Sequence, residues 1–149
     1  VDLIYGLKYQ NKPAYARILA ELLADKLDAS GTEAIMAVPL YATRFRDRGF
    51  NQAELIAESL AKRLDIPLIK QAVSRVKDTS SQTHLNARQR RNNLNNAFEV
   101  NVDKFAGFKR VALLDDVITT GATMQSLAQK IKQQTAIEII QAWAVAKTK

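Results

Sequence analysis

The chain has 149 residues, of which 47% are hydrophobic and 25% are charged, enough for one globular domain with a core and too apolar for a disordered chain. It has no cysteine, which excludes disulfides, a thiolate nucleophile and a cysteine zinc site, and its single histidine excludes a multi-histidine metal centre. The net charge of +7 favours anionic partners such as phosphates, nucleic acid or anionic lipid.

Hydropathy gives no sign of a membrane protein. No apolar run approaches the roughly 18 to 20 residues that cross a bilayer, and the opening segment, Val1 to Tyr9, lacks the apolar core of a signal peptide. We therefore expect a single domain over residues 1–149 that is located in the cytoplasm.

Two helices and a strand are predicted in the first half. A helix opens at Pro13 and ends before Gly31, and a short apolar strand follows at Ala34 to Val38. Asn51 is predicted to cap the second helix, which ends at Asp65 and Pro67. The predicted inner positions are Tyr15, Ile18, Leu19, Leu22, Leu23 and Leu27 in the first helix, and Leu55, Ile56, Leu60 and Leu64 in the second.

The second half alternates strands with a helix. Strands are predicted at Leu68 to Val76, Ala97 to Val100, Val111 to Leu114 and Ile137 to Ala146, the third of them central because it is apolar throughout. The spacing of Met124, Leu127, Ala128 and Ile131 predicts a helix before the last strand. This order predicts an α/β fold, a mostly parallel twisted sheet flanked by helices, with ligands at the carboxyl ends of the strands.

The segment from Val111 to Thr123 carries the clearest chemical pattern. An apolar strand is followed by the adjacent acids Asp115 and Asp116, and then by the turn Thr119-Thr120-Gly121-Ala122-Thr123, which opens a helix. Backbone N–H groups and the helix dipole at such a turn suit a phosphate dianion, and the glycine permits close approach. Carboxylates accept hydrogen bonds from sugar hydroxyls. The combination predicts a site for a sugar phosphate.

This segment resembles the signature of the type I phosphoribosyltransferases, which is four apolar residues, two acids, two apolar residues and a Thr-Thr-Gly-x-Thr turn. The resemblance implies a Rossmann-like fold that binds phosphoribosyl pyrophosphate (PRPP). Asp115 and Asp116 would hold the ribose 2- and 3-hydroxyls, and Thr119, Thr120, Gly121, Ala122 and Thr123 would hold the 5-phosphate. Mg2+ would be held through PRPP near the two acids, without a direct protein ligand set.

Two basic segments are candidates for the pyrophosphate of PRPP. The first follows the Ala34 strand and contains Arg48 and Asn51, and the second is a long polar insertion with Arg75 and Lys77 at its base and Arg88 at its far end. In phosphoribosyltransferases a flexible loop at the second position closes over the site, so Lys77 and Arg88 join the acids as catalytic candidates. For Arg44 and Arg46 in the first segment, the alternative to anion binding is a solvated surface turn. Arg90 and Arg91 at the far end of the second segment are also pyrophosphate candidates, and they fit equally a basic solvated helix end or a nucleic-acid patch.

Nearly the whole chain resembles the competence protein F family, through Arg48-Gly49-Phe50-Asn51-Gln52, the stretch from Gln82 to Asn92, Asn95 with Ala97-Phe98, and the acid and threonine turn. Members of this family usually carry an upstream, cysteine-rich zinc ribbon. This chain has no cysteine, so either that module was removed or this member lacks it.

Three functions stay open at this point. The first is an enzyme that transfers phosphoribosyl to an unidentified nitrogenous acceptor. The second is a non-catalytic module of DNA uptake that binds single-stranded DNA and competence proteins, and the third is a PRPP-sensing regulator. A homodimer is also expected, because dimerisation is common among similar proteins.

Overall fold

The computed structural model describes residues 14–40, 51–76, 86, 88–89 and 97–147. In chain order, the elements of this part are α1 (Ala14–Ala24), β1 (Ala34–Ala37), α2 (Gln52–Leu64), β2 (Val73–Arg75), β3 (Phe98–Val100), a 3-10 helix (Val102–Phe105), β4 (Arg110–Ile118), α3 (Ala122–Gln134) and β5 (Ile139–Lys147).

A parallel sheet with the order β1-β4-β5 forms the centre of the described fold. The register pairs Ala34 with Val111 and Ala37 with Leu114 between β1 and β4, and Arg110 with Ile139 between β4 and β5. The apolar strand predicted to be central is therefore central, and the predicted parallel α/β fold is confirmed. No helix in the described ranges is long and apolar enough to span a bilayer.

Both faces of the sheet are covered, as the continuous apolar strands predicted. Ala112 and Leu114 pack with α1 and α2 on one face, in a cluster that includes Trp143. Val111 and Leu113 pack on the other face with α3 and with the small sheet formed by β2 and β3. The helices that follow β1 and β4, α2 and α3, thus lie on opposite faces of the sheet, and in such folds ligands bind at the carboxyl ends of the two strands concerned.

The first helix buries a different stripe from the predicted one. Ile18 and Leu22 are 41% and 52% exposed, while Ala16 and Ala20 are buried beside Leu19 and Leu23. α1 packs against α2, which presents its own alanines, Ala57 and Ala61, to the same cluster. Small residues on both helices permit close packing, so the helix turns its alanines inward and leaves two larger side chains outside.

The second helix is bounded as predicted. The Oδ1 of Asn51 accepts hydrogen bonds from the N–H groups of Ala53 and Glu54 at 3.0 and 3.4 Å, which caps the first turn. At the other end Asp65 adopts a left-handed conformation with φ of +55°. Of the predicted inner residues, Ile56 and Leu60 are fully buried, and Leu55 and Leu64 lie at the edge of the cluster.

The single strand predicted from Leu68 to Val76 is wrong. Leu68 forms only an isolated parallel bridge with Ile35, and Gln71 then takes a φ of +58°, which is incompatible with a continuous strand. After this break β2 leaves the main sheet and pairs antiparallel with β3, Val73 opposite Val100. The flexible loop expected between these strands falls mostly outside the described residues.

Candidate functional site

The acid pair lies inside β4 rather than after it. The strand was predicted to end at Leu114, but it continues to Ile118, because β5 goes on pairing with it as far as Lys147. β1 ends opposite Leu114, so the acids begin where β4 loses its partner on that side. Successive residues of a strand point to opposite faces. Asp116 therefore follows Leu114 toward α2, and Asp115 follows Leu113 toward the opposite face.

Asp116 is a buried carboxylate, 7% exposed, with a donor on each oxygen. Its Oδ2 accepts a hydrogen bond from Nε2 of Gln52 at 2.8 Å, and its Oδ1 accepts one from the N–H of Val117 at 2.8 Å. Hydrogen bonds to an ionised acceptor are stronger than neutral ones and stabilise the charge. In the sequence, Gln52 stands out only as the last residue of a motif shared with the family, and its hydrogen bond to Asp116 was not predicted.

Asp115 is partly buried, and its environment favours the neutral form. Burial, followed by the hydrogen bond and the charge of Asp116, raises the pKa of Asp115 to about 7. The N–H of Asp116, which donates to Oδ1 of Asp115 at 2.8 Å, and the positive charge of Arg75 act in the opposite direction. Near neutral pH, the two acids together therefore carry less than two negative charges.

The threonine turn forms the floor of a small cavity at the start of α3. Gly121 caps the helix with a φ of +82°, and the N–H of Ala122 donates to Oγ1 of Thr120 at 3.2 Å. The cavity measures about 60 Å³ and is lined by Asp115, Val117, Ile118, Thr119, Thr120, Gly121, Ala122, Thr123 and Met124. Its position at the N-terminus of a 13-residue helix suits an anion. An anion oxygen would take the place of the Thr120 hydroxyl at the Ala122 N–H.

Asn51 fastens the start of α2 to the sheet. Besides capping the helix, its Nδ2 donates to the carbonyl oxygen of Val38 at 3.1 Å, and the residue is 8% exposed. Both the oxygen and the nitrogen of its side-chain amide are thus hydrogen-bonded within the protein. The pyrophosphate contact predicted for Asn51 stays a prediction, and it would require one of these bonds to be exchanged.

The basic candidates have different surroundings. Arg75 stacks over the ring of Phe98, 5.7 Å from its centroid, and lies within electrostatic range of Asp115. Arg88 is exposed in a helical turn that is opened by reciprocal hydrogen bonds between Asn86 and Gln89, at 2.8 and 3.1 Å. Six further candidates lie outside the described residues: Arg44, Arg46, Arg48, Lys77, Arg90 and Arg91.

The acid pair is also chemically suited to Mg2+. This ion prefers oxygen ligands and is commonly bound through one or two carboxylates together with substrate phosphates. Asp115 supplies a carboxylate at the cavity that opens α3, while Asp116 lies on the opposite face of β4 and is hydrogen-bonded to Gln52. The one carboxylate at the cavity therefore fits a magnesium ion that is held mainly by a phosphorylated ligand.

Comparison with known proteins relates this arrangement to a family. The chain is 44% identical over 153 aligned positions to competence protein F of Haemophilus influenzae, covering 97% of the chain and 66% of that protein. The chain therefore belongs to the competence protein F family. It is also 35% identical to the DNA utilization protein YhgH of Salmonella typhi, over 98% of the chain and again 66% of the relative. The chain thus spans about two thirds of the length of these relatives.

Solved structures show the fold of this member of the competence protein F family. Adenine phosphoribosyltransferase from Thermoanaerobacter pseudethanolicus superposes with a TM-score of 0.57 at 15% identity, covering 93% of the chain and 83% of that protein. The fold is therefore that of the phosphoribosyltransferases. No protein-family model matches the sequence.

Proposed function

We propose that the chain binds Mg-PRPP at the carboxyl end of β4. One observation carries this proposal: the left-handed Gly121 directs the N-terminus of α3 at a cavity that also includes Asp115. An anion site and the carboxylate of Asp115 then lie side by side, with Asp116 next along the strand, and this is the chemistry that a sugar phosphate with free hydroxyls requires.

Each group has a part in this proposal. The 5-phosphate is received by the turn from Thr119 to Thr123, and the ribose hydroxyls donate to the carboxylates of Asp115 and Asp116. Mg2+ would be held through the bound PRPP near Asp115 and Asp116, where it would supply positive charge that offsets the charge of the pyrophosphate. Arg75, with Arg48, Lys77 and Arg88, supplies cations to the pyrophosphate.

The reaction class that follows is phosphoribosyl transfer. The bond from the anomeric carbon to the pyrophosphate oxygen breaks, and pyrophosphate leaves with the electron pair. A nitrogenous acceptor forms the new bond through its lone pair and then loses a proton. Preorganised cations on the departing pyrophosphate would lower the barrier to this step.

A second candidate function is supported by the relatives' names, competence protein F and DNA utilization protein, and by the net charge of +7. In this alternative the fold is kept, and the chain binds single-stranded DNA and competence proteins without catalysis, or senses PRPP. We place either function in the cytoplasm, which is consistent with a chain that contains no cysteine.

Titration calorimetry with Mg-PRPP tests the proposal. Saturable binding is expected for the native chain and for the exposed control Asp103→Asn, and loss of binding for Asp115→Asn combined with Asp116→Asn. Pyrophosphate release with ammonia or simple amines as acceptors then tests transfer. Absence of PRPP binding, together with DNA binding that weakens steeply with salt, would refute the proposal in favour of the DNA module.

A further inference from the structure

Gln52 is an unusual residue for its position. It is the first residue of α2 and is only 4% exposed, although glutamine is mostly found on protein surfaces. A buried amide must find hydrogen-bond partners, or it costs free energy. The partner of Gln52 is Asp116, 64 residues later in the chain, and both residues are buried.

The hydrogen bond controls the orientation of the carboxylate. Nε2 of Gln52 donates to Oδ2 of Asp116, while the N–H of Val117 donates to Oδ1, both at 2.8 Å. Donors on both oxygens fix the rotation of the carboxylate. Each oxygen of the carboxylate therefore has a defined direction within the protein.

The donor is itself held in place by the neighbouring residue. Asn51 ties the start of α2 to β1 through the carbonyl oxygen of Val38, and Gln52 ties the same turn to β4. The two consecutive side chains thus attach one helix terminus to the carboxyl ends of two adjacent strands. A change in the position of Gln52 would require the helix terminus to leave both strands.

We propose that Gln52 is a positioning residue, which holds the carboxylate of Asp116 in the orientation that accepts the ribose hydroxyls of PRPP. This inference rests on the proposed binding of Mg-PRPP. Gln52 does not touch the ligand in this proposal, and its whole effect passes through Asp116.

Gln52→Met tests the role directly, because it keeps the approximate side-chain volume and removes the donor. We expect the Kd for Mg-PRPP to rise about tenfold to a hundredfold, the range for a lost hydrogen bond to a charged group. In the background of Asp116→Asn, the same substitution should change the Kd by less than about threefold, because the two residues act as one unit.

Gln52→Glu provides a signature that a merely structural role would not give. Two buried carboxyl groups at this distance cannot both ionise readily, so the introduced group keeps a proton at low pH and donates it to Asp116 as the amide does. The ratio of the variant Kd to the native Kd should be near one at about pH 6 and rise more than tenfold at about pH 8.5. The exposed control Gln129→Glu should keep a ratio near one throughout. Asp115, whose pKa is raised to about 7, titrates within this range and lies near Arg75 in every protein compared, so each variant is compared with the native chain at the same pH.

The outcomes separate the two proposals. A native chain that does not bind Mg-PRPP overturns the proposed function, and with it the ligand assigned to Asp116. Native binding that is unchanged in Gln52→Met, or a pH-independent ratio for Gln52→Glu, overturns the positioning role alone. Thermal unfolding of each variant is measured beside the affinities, and weakened binding by a folded Gln52→Met that Gln52→Glu restores at low pH supports the inference.

Discussion

Replacement of Asp115 by asparagine should stabilise the protein at neutral and alkaline pH. The native carboxyl must ionise in a partly buried place next to the charge of Asp116, and the asparagine amide avoids this cost. The amide oxygen of the variant can still accept the hydrogen bond from the N–H of Asp116. The substitution therefore removes the charge and keeps the local contact.

The magnitude follows from the pKa of Asp115. That pKa rises from 3.8 to about 7 on folding, so between these values the folded chain keeps a proton that the unfolded chain has lost. The free energy of unfolding of the native chain therefore falls as pH rises through this window, and it levels off above about pH 7. A difference of about three pH units corresponds to about 4 kcal/mol at most. We expect Asp115→Asn to gain about 2 to 4 kcal/mol at pH 8 and almost nothing near pH 4.

Urea unfolding of both proteins, measured from about pH 5 to about pH 8.5, provides the assay. Hydrogen bonds lower the pKa of Asp28 and Glu33, so their contributions are lost below this range, and they are common to both proteins. The exposed control Asp103→Asn should show a constant difference from the native chain. A variant that is no more stable than the native chain at pH 8, or a gain that does not grow with pH, would refute the reasoning.

Two further predictions concern the turn and the helix cap. Gly121→Ala should lower the free energy of unfolding by about 1 to 2 kcal/mol because φ is +82°, and it should also weaken Mg-PRPP binding. The control Gly107→Ala has a φ of +89° and open space around it. It should lose the same stability and leave binding unchanged. Equal binding by both glycine variants would contradict the role given to the turn. Asn51→Ala should lose about 2 kcal/mol through the cap and the Val38 bond, while Asn51→Asp should recover the cap alone. An Asn51→Asp variant as stable as the native chain would count against the tether.

The features that were predicted correctly are determined by residues that are close together in the sequence. The cap at Asn51 and the end at Asp65 are local, and the apolar run at Val111 already indicated a strand buried on both faces. The end of β4 could not be predicted from local residues. The acids interrupt the apolar pattern, and the strand stops where its pairing with β5 stops.

The errors arise from contacts between distant parts of the chain. Periodicity could not distinguish Ile18 and Leu22 from the alanines that α1 buries against α2. The sequence does not predict the left-handed conformation of Gln71, because glutamine rarely adopts that conformation. Gln52 could be quoted from a motif, but its partner lies 64 positions away and becomes apparent only when α2 packs beside β4.

The side chains of β4 alternate between the two faces of the sheet, and this alternation makes an insertion or deletion near the acid pair costly to the fold. Inserting or deleting one residue within the strand would reverse the direction of the side chains that follow it. Val111 and Leu113 would then lie on the face now occupied by Ala112 and Leu114, and the two carboxylates would also exchange faces. Such a change would disrupt two hydrophobic clusters before it could create a new arrangement of acids. Selection for a stable core therefore preserves the spacing of the carboxylates, even in a descendant that no longer uses them.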